Sequence, residues 1–399
     1  MACTNQIRSN IQKIYGLKFF AMFLILMPVI VPFFESKGIG MKGVYLLQSI
    51  FAITVFIMEI PSGYISDLLG RKNTLIVASV LKGLGFSLFP LADDLNILIF
   101  AEIILGIGAS LSSGTDIAMI YDTLEVTDPK KAQIKILGKT LSFLAMGEGF
   151  AALIASILML FHFDINTLAI TTAIFCWIPF FISLTLTEPP RKKMTSTHKE
   201  NFSYIYENLF KQSKILRLII LNSVLLSSST LFAVWLFQKY WSDIGISIVY
   251  FGFLWAFTNF TVSIISKKAH KVEKKWGSIN TLIIIGTLPI IGYFGISLTD
   301  TYWGFLFCLC FQVTRGIAQI ILKDALNKRV TADFRATANS ISQMGTRILF
   351  LIIGPLLGLL IDEKGLSFAC MIMGIVYFIS FFGATYRLIL QKDDFVAIR

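Results

Sequence analysis

Six charged residues stand inside otherwise apolar stretches of this chain: Lys82, Glu102, Asp116, Glu148, Arg315 and Arg347. A charge in a hydrocarbon interior is costly, so each is a functional candidate by default. Glu148, Arg315 and Arg347 fall near the middle of their stretches, and Asp116 lies in the half nearer a basic loop. Lys82 and Glu102 are closer to the ends, where a lysine can snorkel to the interface. A carboxylate starved of water favours its protonated form, and an opposite charge nearby lowers the cost of keeping it ionised. The chemistry on offer is therefore proton uptake and release, or the pairing of buried charges. Static ion pairs that only lock the fold would use the same residue types.

A second constellation is Glu59-Ile60-Pro61-Ser62-Gly63-Tyr64-Ile65-Ser66-Asp67-Leu68-Leu69-Gly70-Arg71-Lys72-Asn73. It ends one long apolar run and turns within a few residues into the next. Gly63 and Gly70 suit close backbone approach and tight turning. Asp67 is placed either to cap the following helix or to pair with Arg71. A well-capped helical hairpin is the plain reading, and a loop that changes contacts between states is the functional one.

The elements that must position these residues follow from composition. Of 399 residues, 55% are hydrophobic and only 15% charged, against about a quarter charged in soluble chains; mean hydropathy is +0.74. Runs of about 20 apolar residues cross a bilayer as helices. The pattern predicts helices at 14–35, 43–66, 73–91, 96–121, 137–161, 166–187, 215–239, 246–266, 278–298, 302–322, 337–361 and 366–390. The fold class is thus an all-α polytopic membrane protein with twelve transmembrane helices. Residues 1–187 and 215–399 form six-helix halves, joined by a hydrophilic linker at 188–214 that opens with Glu188-Pro189-Pro190-Arg191-Lys192-Lys193. Within the linker, 203–210 has the pattern of a short amphipathic helix on the inner leaflet. Tyr121-Asp122-Thr123-Leu124 and Lys323-Asp324-Ala325-Leu326 recur at matching places in the two halves.

The net charge of +11 is a topology signal. Lys and Arg crowd every second loop, as at Arg71-Lys72, Lys130-Lys131, Lys267-Lys268 and Lys328-Arg329, while Asp93-Asp94, Asp164, Asp300 and Asp362-Glu363 mark the alternate ones. The positive-inside rule then puts both termini in the cytoplasm. No basic face stands apart from the membrane boundaries, so nucleic acid is not an expected partner. Neither the five cysteines nor the three histidines have metal-ligand spacing. There is no phosphate-binding Gly-rich loop, nucleophile elbow or zinc-protease pattern, so neither an enzyme nor a cofactor is expected.

The spacing Gly63-x-x-x-Asp67-x-x-Gly70-Arg71-Lys72, with its Glu59-x-Pro61-Ser62-Gly63 lead-in, resembles the signature loop between helices 2 and 3 of the major facilitator superfamily. Leu68 departs from it, standing where the family usually has a cation. The resemblance implies two six-helix bundles around a midplane site, with helices 1, 4, 7 and 10 lining the cavity and 2, 5, 8 and 11 at the interface between halves. On that plan Asp116 or Glu148 carries a proton, and Arg315 or Arg347 pairs with it or with an anionic solute group. Gly63, Asp67, Gly70, Arg71 and Lys72 would form a cytoplasmic gating loop, and Asn222, Trp235, Asn259, Gln312 and Gln343 would line the cavity. Trp235 and Tyr240-Trp241 also suit the interfacial aromatic belt. Two departures set the chain apart from familiar subgroups. Glu102 holds a position that is arginine in many proton-coupled members, and Gly147-Glu148-Gly149-Phe150 replaces the Gly-Pro pair of drug antiporters.

The expected function is a proton-coupled exporter of a small organic solute in a bacterial cytoplasmic membrane, acting as a monomer. Import by symport or facilitation, including import of a siderophore or organic anion, is the alternative within transport. Outside it stands a transporter-like receptor or scaffold.

Overall fold

In the computed structural model the described residues are 2–127, 133–190, 213–330, 335–392 and 395, and helices joined by short turns account for nearly all of them. The basic residues Lys130-Lys131 and Arg191-Lys192-Lys193, and the amphipathic stretch 203–210, lie outside the described residues. The chain divides into two compact units, one of Met1–Met194 with Ser247–Phe257 and one of Thr195–Ile246 with Thr258–Arg399.

The first unit contains α1 (Ala2–Ala21), α2 (Ile30–Ser36), α3 (Met41–Leu69), α4 (Arg71–Leu88), α5 (Leu95–Thr127), α6 (Gln133–Leu160), α7 (Ile165–Phe175) and α8 (Ile178–Leu184). Its centre is α5, which packs on α3, α4 and α1, while α1 also packs on α6 and α8. The second unit is built from α9 (Lys214–Asp243), most of α10 (Phe251–Trp276), α11 (Ser278–Leu298), α12 (Phe305–Arg329), α13 (Arg335–Lys364), α14 (Leu366–Ser380) and α15 (Tyr386–Leu390). There α9 packs on α12 and α13, and α11 packs on α12 and α14. Among the described residues, eleven spans are long and apolar enough to cross a membrane, and Met27–Ser36 is a shorter apolar helix. With the end of α1 it makes the first crossing, giving the twelve expected.

Two crossings expected as single helices are broken. The first stops at Ala21 and resumes through a 3-10 turn, Met27–Val29, into α2. Pro28 lacks an N–H and disfavours a helical residue before it. Backbone groups exposed this way at membrane depth must find partners. Here the Leu26 N–H donates to Thr172 Oγ1 at 2.8 Å, and the Ala21 carbonyl accepts from Lys82 Nζ. The sixth crossing breaks at Cys176-Trp177, just before Pro179 opens α8. Trp177 packs flat on Gly83 of α4, where an added Cβ would meet the indole at 2.7 Å, and its Nε1 donates to Ser87 Oγ.

The last crossing holds a π-helical turn, Phe381–Thr385. It brings Thr385 Oγ1 to Asn222 Oδ1 of α9 at 2.7 Å. Trp235, Tyr240 and Trp241 do not form an interfacial belt. All three are buried in the second unit, where the Tyr240 hydroxyl donates to the Thr299 carbonyl at 2.8 Å. Tyr302 and Trp303, at the turn before α12, are exposed instead. The last turns of α9 carry too many large rings to stay at a surface, and Phe237, Phe305 and Phe311 close around them.

Candidate functional site

The buried and half-buried charges of the first unit lie on α1, α4, α5 and α6. Asp116, on α5, is almost fully enclosed, and its Oδ2 pairs with Lys18 Nζ from α1. The Lys18 side chain keeps 21% of its surface exposed and that of Asp116 only 4%, so the cation lies outermost. The sequence reading offered Asp116 an arginine of the other half; its cation comes from its own unit. Lys18 was missed because it sits one turn inside the predicted first helix and passes for a boundary lysine. The signal that could have found it is Asp116 itself, since a buried carboxylate asks for a cation.

Lys82 does not snorkel. It turns inward to the Ala21 carbonyl, an acceptor orphaned where α1 stops. Glu102, also on α5, is buried and accepts from the amide of Gln48 on α3 at 3.0 Å. Glu148, on α6, is half-buried and accepts from Trp255 Nε1 at 3.0 Å. Trp255 belongs to the Ser247–Phe257 stretch that packs with the first unit. Nearby, Gly252 lies so close to α6 that a Cβ would fall 2.1 Å from the Ala152 carbonyl.

At one end of this unit the signature loop closes a second cluster. Gly70 takes φ 95°, a conformation suited to glycine. The first two N–H groups of α4, those of Arg71 and Lys72, donate to the two carboxylate oxygens of Glu188 at 2.8 and 2.7 Å. An added Cβ on Gly70 would meet that carboxylate at 2.9 Å. The cap on α4 is therefore Glu188 and not Asp67. Asp67 is still inside α3, a turn short of the bend, and reaches the Arg71 side chain instead. Arg71 pairs with Asp67 at 2.8 Å and with Asp122 of α5 at 3.2 Å, and donates to Ser66 Oγ at 2.8 Å. Asn10 of α1 holds Thr187, the residue before Glu188, by both its backbone N–H and its carbonyl. Gly63 and Lys72 belong to this loop by position; Gly63 is exposed, with open space where a Cβ would stand.

In the second unit Arg315 lies on α12 and Arg347 on α13, both half-buried. Of the residues expected to line a cavity, Asn222 is fully buried with its Nδ2 on the Leu218 carbonyl and its Oδ1 on Thr385. Asn259, Trp235 and Gln312 are buried and Gln343 is exposed. No group of three or more His, Cys, Asp or Glu suited to a metal occurs among the described residues.

Comparison with known proteins fits this arrangement. The sequence profile of the Major Facilitator Superfamily matches residues 14–348. An uncharacterized MFS-type transporter of Bacillus subtilis, YxaM, is 23% identical over 350 residues, 86% of each chain. A mutant of the nucleoside transporter NupG superimposes with a TM-score of 0.76 at 14% identity, covering 98% of this chain and 99% of the other. A D-xylose-proton symporter does so with a TM-score of 0.69 at 14% identity, covering 93% and 96%. With the signature loop, the twelve crossings and the profile in agreement, this multi-pass membrane protein belongs to the major facilitator superfamily and is a secondary transporter.

Proposed function

We propose that this protein moves a small organic solute by alternating access coupled to protons, with Asp116 as the proton carrier. The observation that carries this reading is the Lys18–Asp116 pair. With Asp116 ionised the pair is neutral. Once Asp116 takes a proton, Lys18 is left as an uncompensated cation at membrane depth, a state that is costly until a negative group arrives. Protonation thus makes a place for solute, and proton and solute travel together. That coupling supports uptake by symport over the efflux expected from the sequence. The proposed setting is a bacterial cytoplasmic membrane with both termini inside, and one chain is enough for the pathway. The signature loop acts as the cytoplasmic latch that is broken and remade in each cycle.

A second reading rests on Glu148, a half-buried carboxylate on α6 that accepts from the Trp255 indole. A carboxylate of that kind suits exchange, because a proton and a cationic solute would compete for it. The two readings separate in liposomes with an imposed pH gradient, loaded with a pH-reporting dye and offered a panel of organic acids, nucleosides, sugars and cationic drugs. Solute-driven proton entry, lost in Asp116→Asn, is the expected result. Proton movement that survives Asp116→Asn but fails in Glu148→Gln, and runs opposite to the solute, transfers the function to the second reading.

A further inference from the structure

Lys18 does not stand alone on its face of α1. Tyr15 and Phe19 share that face at helical spacing, and Phe143, Met146 and Phe150 form the matching face of α6. The rings of Tyr15 and Phe143 lie parallel, 3° apart in plane with centroids at 5.1 Å. Phe19 meets Phe150 at 6.2 Å. The two helices cross in backbone contact, because a Cβ on Gly147 would fall 2.0 Å from the Phe19 carbonyl oxygen. Phe150 and Met146 remain exposed, at 45% and 41%. The result is an aromatic wall with one reachable ammonium group, whose counter-ion is hidden behind it.

Other ionisable groups lie around the pair, and one of them, Lys82, is a second cation close to Lys18. Lys82 of α4 is held by the Ala21 carbonyl and lies over the Phe86 ring. Cys176, at the break after α7, is a buried free thiol. Tyr15 is stacked, and Lys139 sits exposed one turn before Phe143 on α6.

From the wall, the reachable cation and its hidden carboxylate, we infer that the solute is a planar aromatic monocarboxylate. Its carboxylate replaces Asp116 on Lys18, and its ring lies along the Tyr15–Phe143 and Phe19–Phe150 wall. This rests on Asp116 as the proton carrier. Charge balance follows directly. The empty site holds an ammonium and a carboxylate, and the loaded site holds the ammonium, the solute anion and a neutral carboxylic acid. Loading therefore leaves the charge of the Lys18–Asp116 pair with its solute unchanged. With proton alone or anion alone the pair is left with a net charge in a low dielectric, which disfavours half-loaded crossing. Each turnover therefore carries one proton and one anion and moves no net charge.

The test uses the full-length purified protein with 4-hydroxybenzoate as probe, 4-hydroxybenzamide as its neutral isostere and propionate as the acid without a ring. Binding is read by intrinsic fluorescence and calorimetry at about pH 6 and pH 8, both well above the ordinary carboxylic acid range. The benzoate should bind at least about tenfold more tightly at the lower pH, and more tightly than either control by about the same factor. Lys18→Gln should lose that affinity and Lys18→Arg should restore most of it. Asp116→Asn should bind tightly at both pH values, a gain that a misfolded variant cannot imitate. In liposomes, uptake should not change when a potential is imposed with potassium and valinomycin.

Equal binding of the amide, or a Lys18→Gln protein that binds as well as the native one, overturns the inference. So does an Asp116→Asn protein that gains nothing at the higher pH. Binding as described without any flux would leave the site standing and sink the transport reading. Proton-coupled flux of another solute that survives Lys18→Gln would do the reverse.

Discussion

Gly70 and Gly277 take nearly the same backbone conformation, φ 95° and ψ 156° against φ 80° and ψ 158°, and each starts a long helix in its own unit. What holds the two bends differs. The first is tied by the Arg71 N–H to Glu188, 117 residues further along, and by the Arg71 side chain to Asp122 on α5. At the second, Ser278 Oγ donates to Glu273 Oε1 at 2.9 Å. Asp324, at the place in the second unit that Asp122 holds in the first, pairs with Lys328 one turn along its own helix at 2.9 Å. The first bend is a junction of four segments, α3, α4, α5 and the stretch at Glu188. A junction can report the position of distant elements.

The sharpest way to break this contrast is at the glycines. Gly70→Ala meets both a positive φ and the Glu188 carboxylate, so we expect transport to fall by more than about tenfold, with an added destabilisation of about 1–2 kcal/mol from the backbone alone. Gly277→Ala has open space at its Cβ and should show only the backbone effect, about 1–2 kcal/mol, with transport retained. Parallel uptake assays and thermal melts on the two variants decide it. Equal losses would mean that the first junction has no special role.

Arg71→Gln should come next. It leaves Asp67 and Asp122 facing each other without their cation, and we expect transport to drop several-fold, roughly 1 kcal/mol in coupling. Lys328→Gln removes a half-exposed pair along one helix and should stay within about 0.5 kcal/mol and near-native uptake. Smaller again is the exchange of caps. Glu188→Gln keeps one oxygen acceptor for α4 but loses its charge at the positive end of the helix, worth about 0.3–1 kcal/mol, and this loss should fade as salt is raised.

The smallest effect belongs to a purely local cap. Asp164 accepts the Thr167 N–H at 2.8 Å and the Thr167 hydroxyl at the start of α7, and these hydrogen bonds hold its carboxyl below the usual aspartate range. A depressed folded value contributes stability above the unfolded value, near pH 4, that is lost as pH falls through the folded one. Melting of Asp164→Asn should therefore match the native protein in acid and fall slightly below it at neutral pH. A difference that grows toward acid would contradict that sign.

Much of the architecture was legible because a bilayer imposes one length and one polarity on every crossing. The exceptions are local. The first crossing was expected as one helix over 14–35 despite Pro28, and whether a helix kinks or stops there depends on whether neighbours can take its freed groups, here Thr172 and Lys82. Asp116 and Glu148 were visible as costly charges, and their partners were not. Lys18 looks like any lysine near a helix end, and Trp255 like any aromatic in a membrane segment. Glu188 read as the last residue before two prolines. Its role depends on the turn of chain that brings it to Gly70, and spacing along a sequence does not contain that distance.

The break in the first crossing has a mechanical meaning. A continuous rod would pass any tilt at one end to the other with opposite sign, so displacement of the arm bearing Lys18 would pry against Phe33 and Phe34, which are packed solid on the far side. Cut at Ala21 and pinned at Leu26, the crossing becomes two levers with separate fulcrums. The arm that holds the charge can rock on Gly147 while the other stays seated.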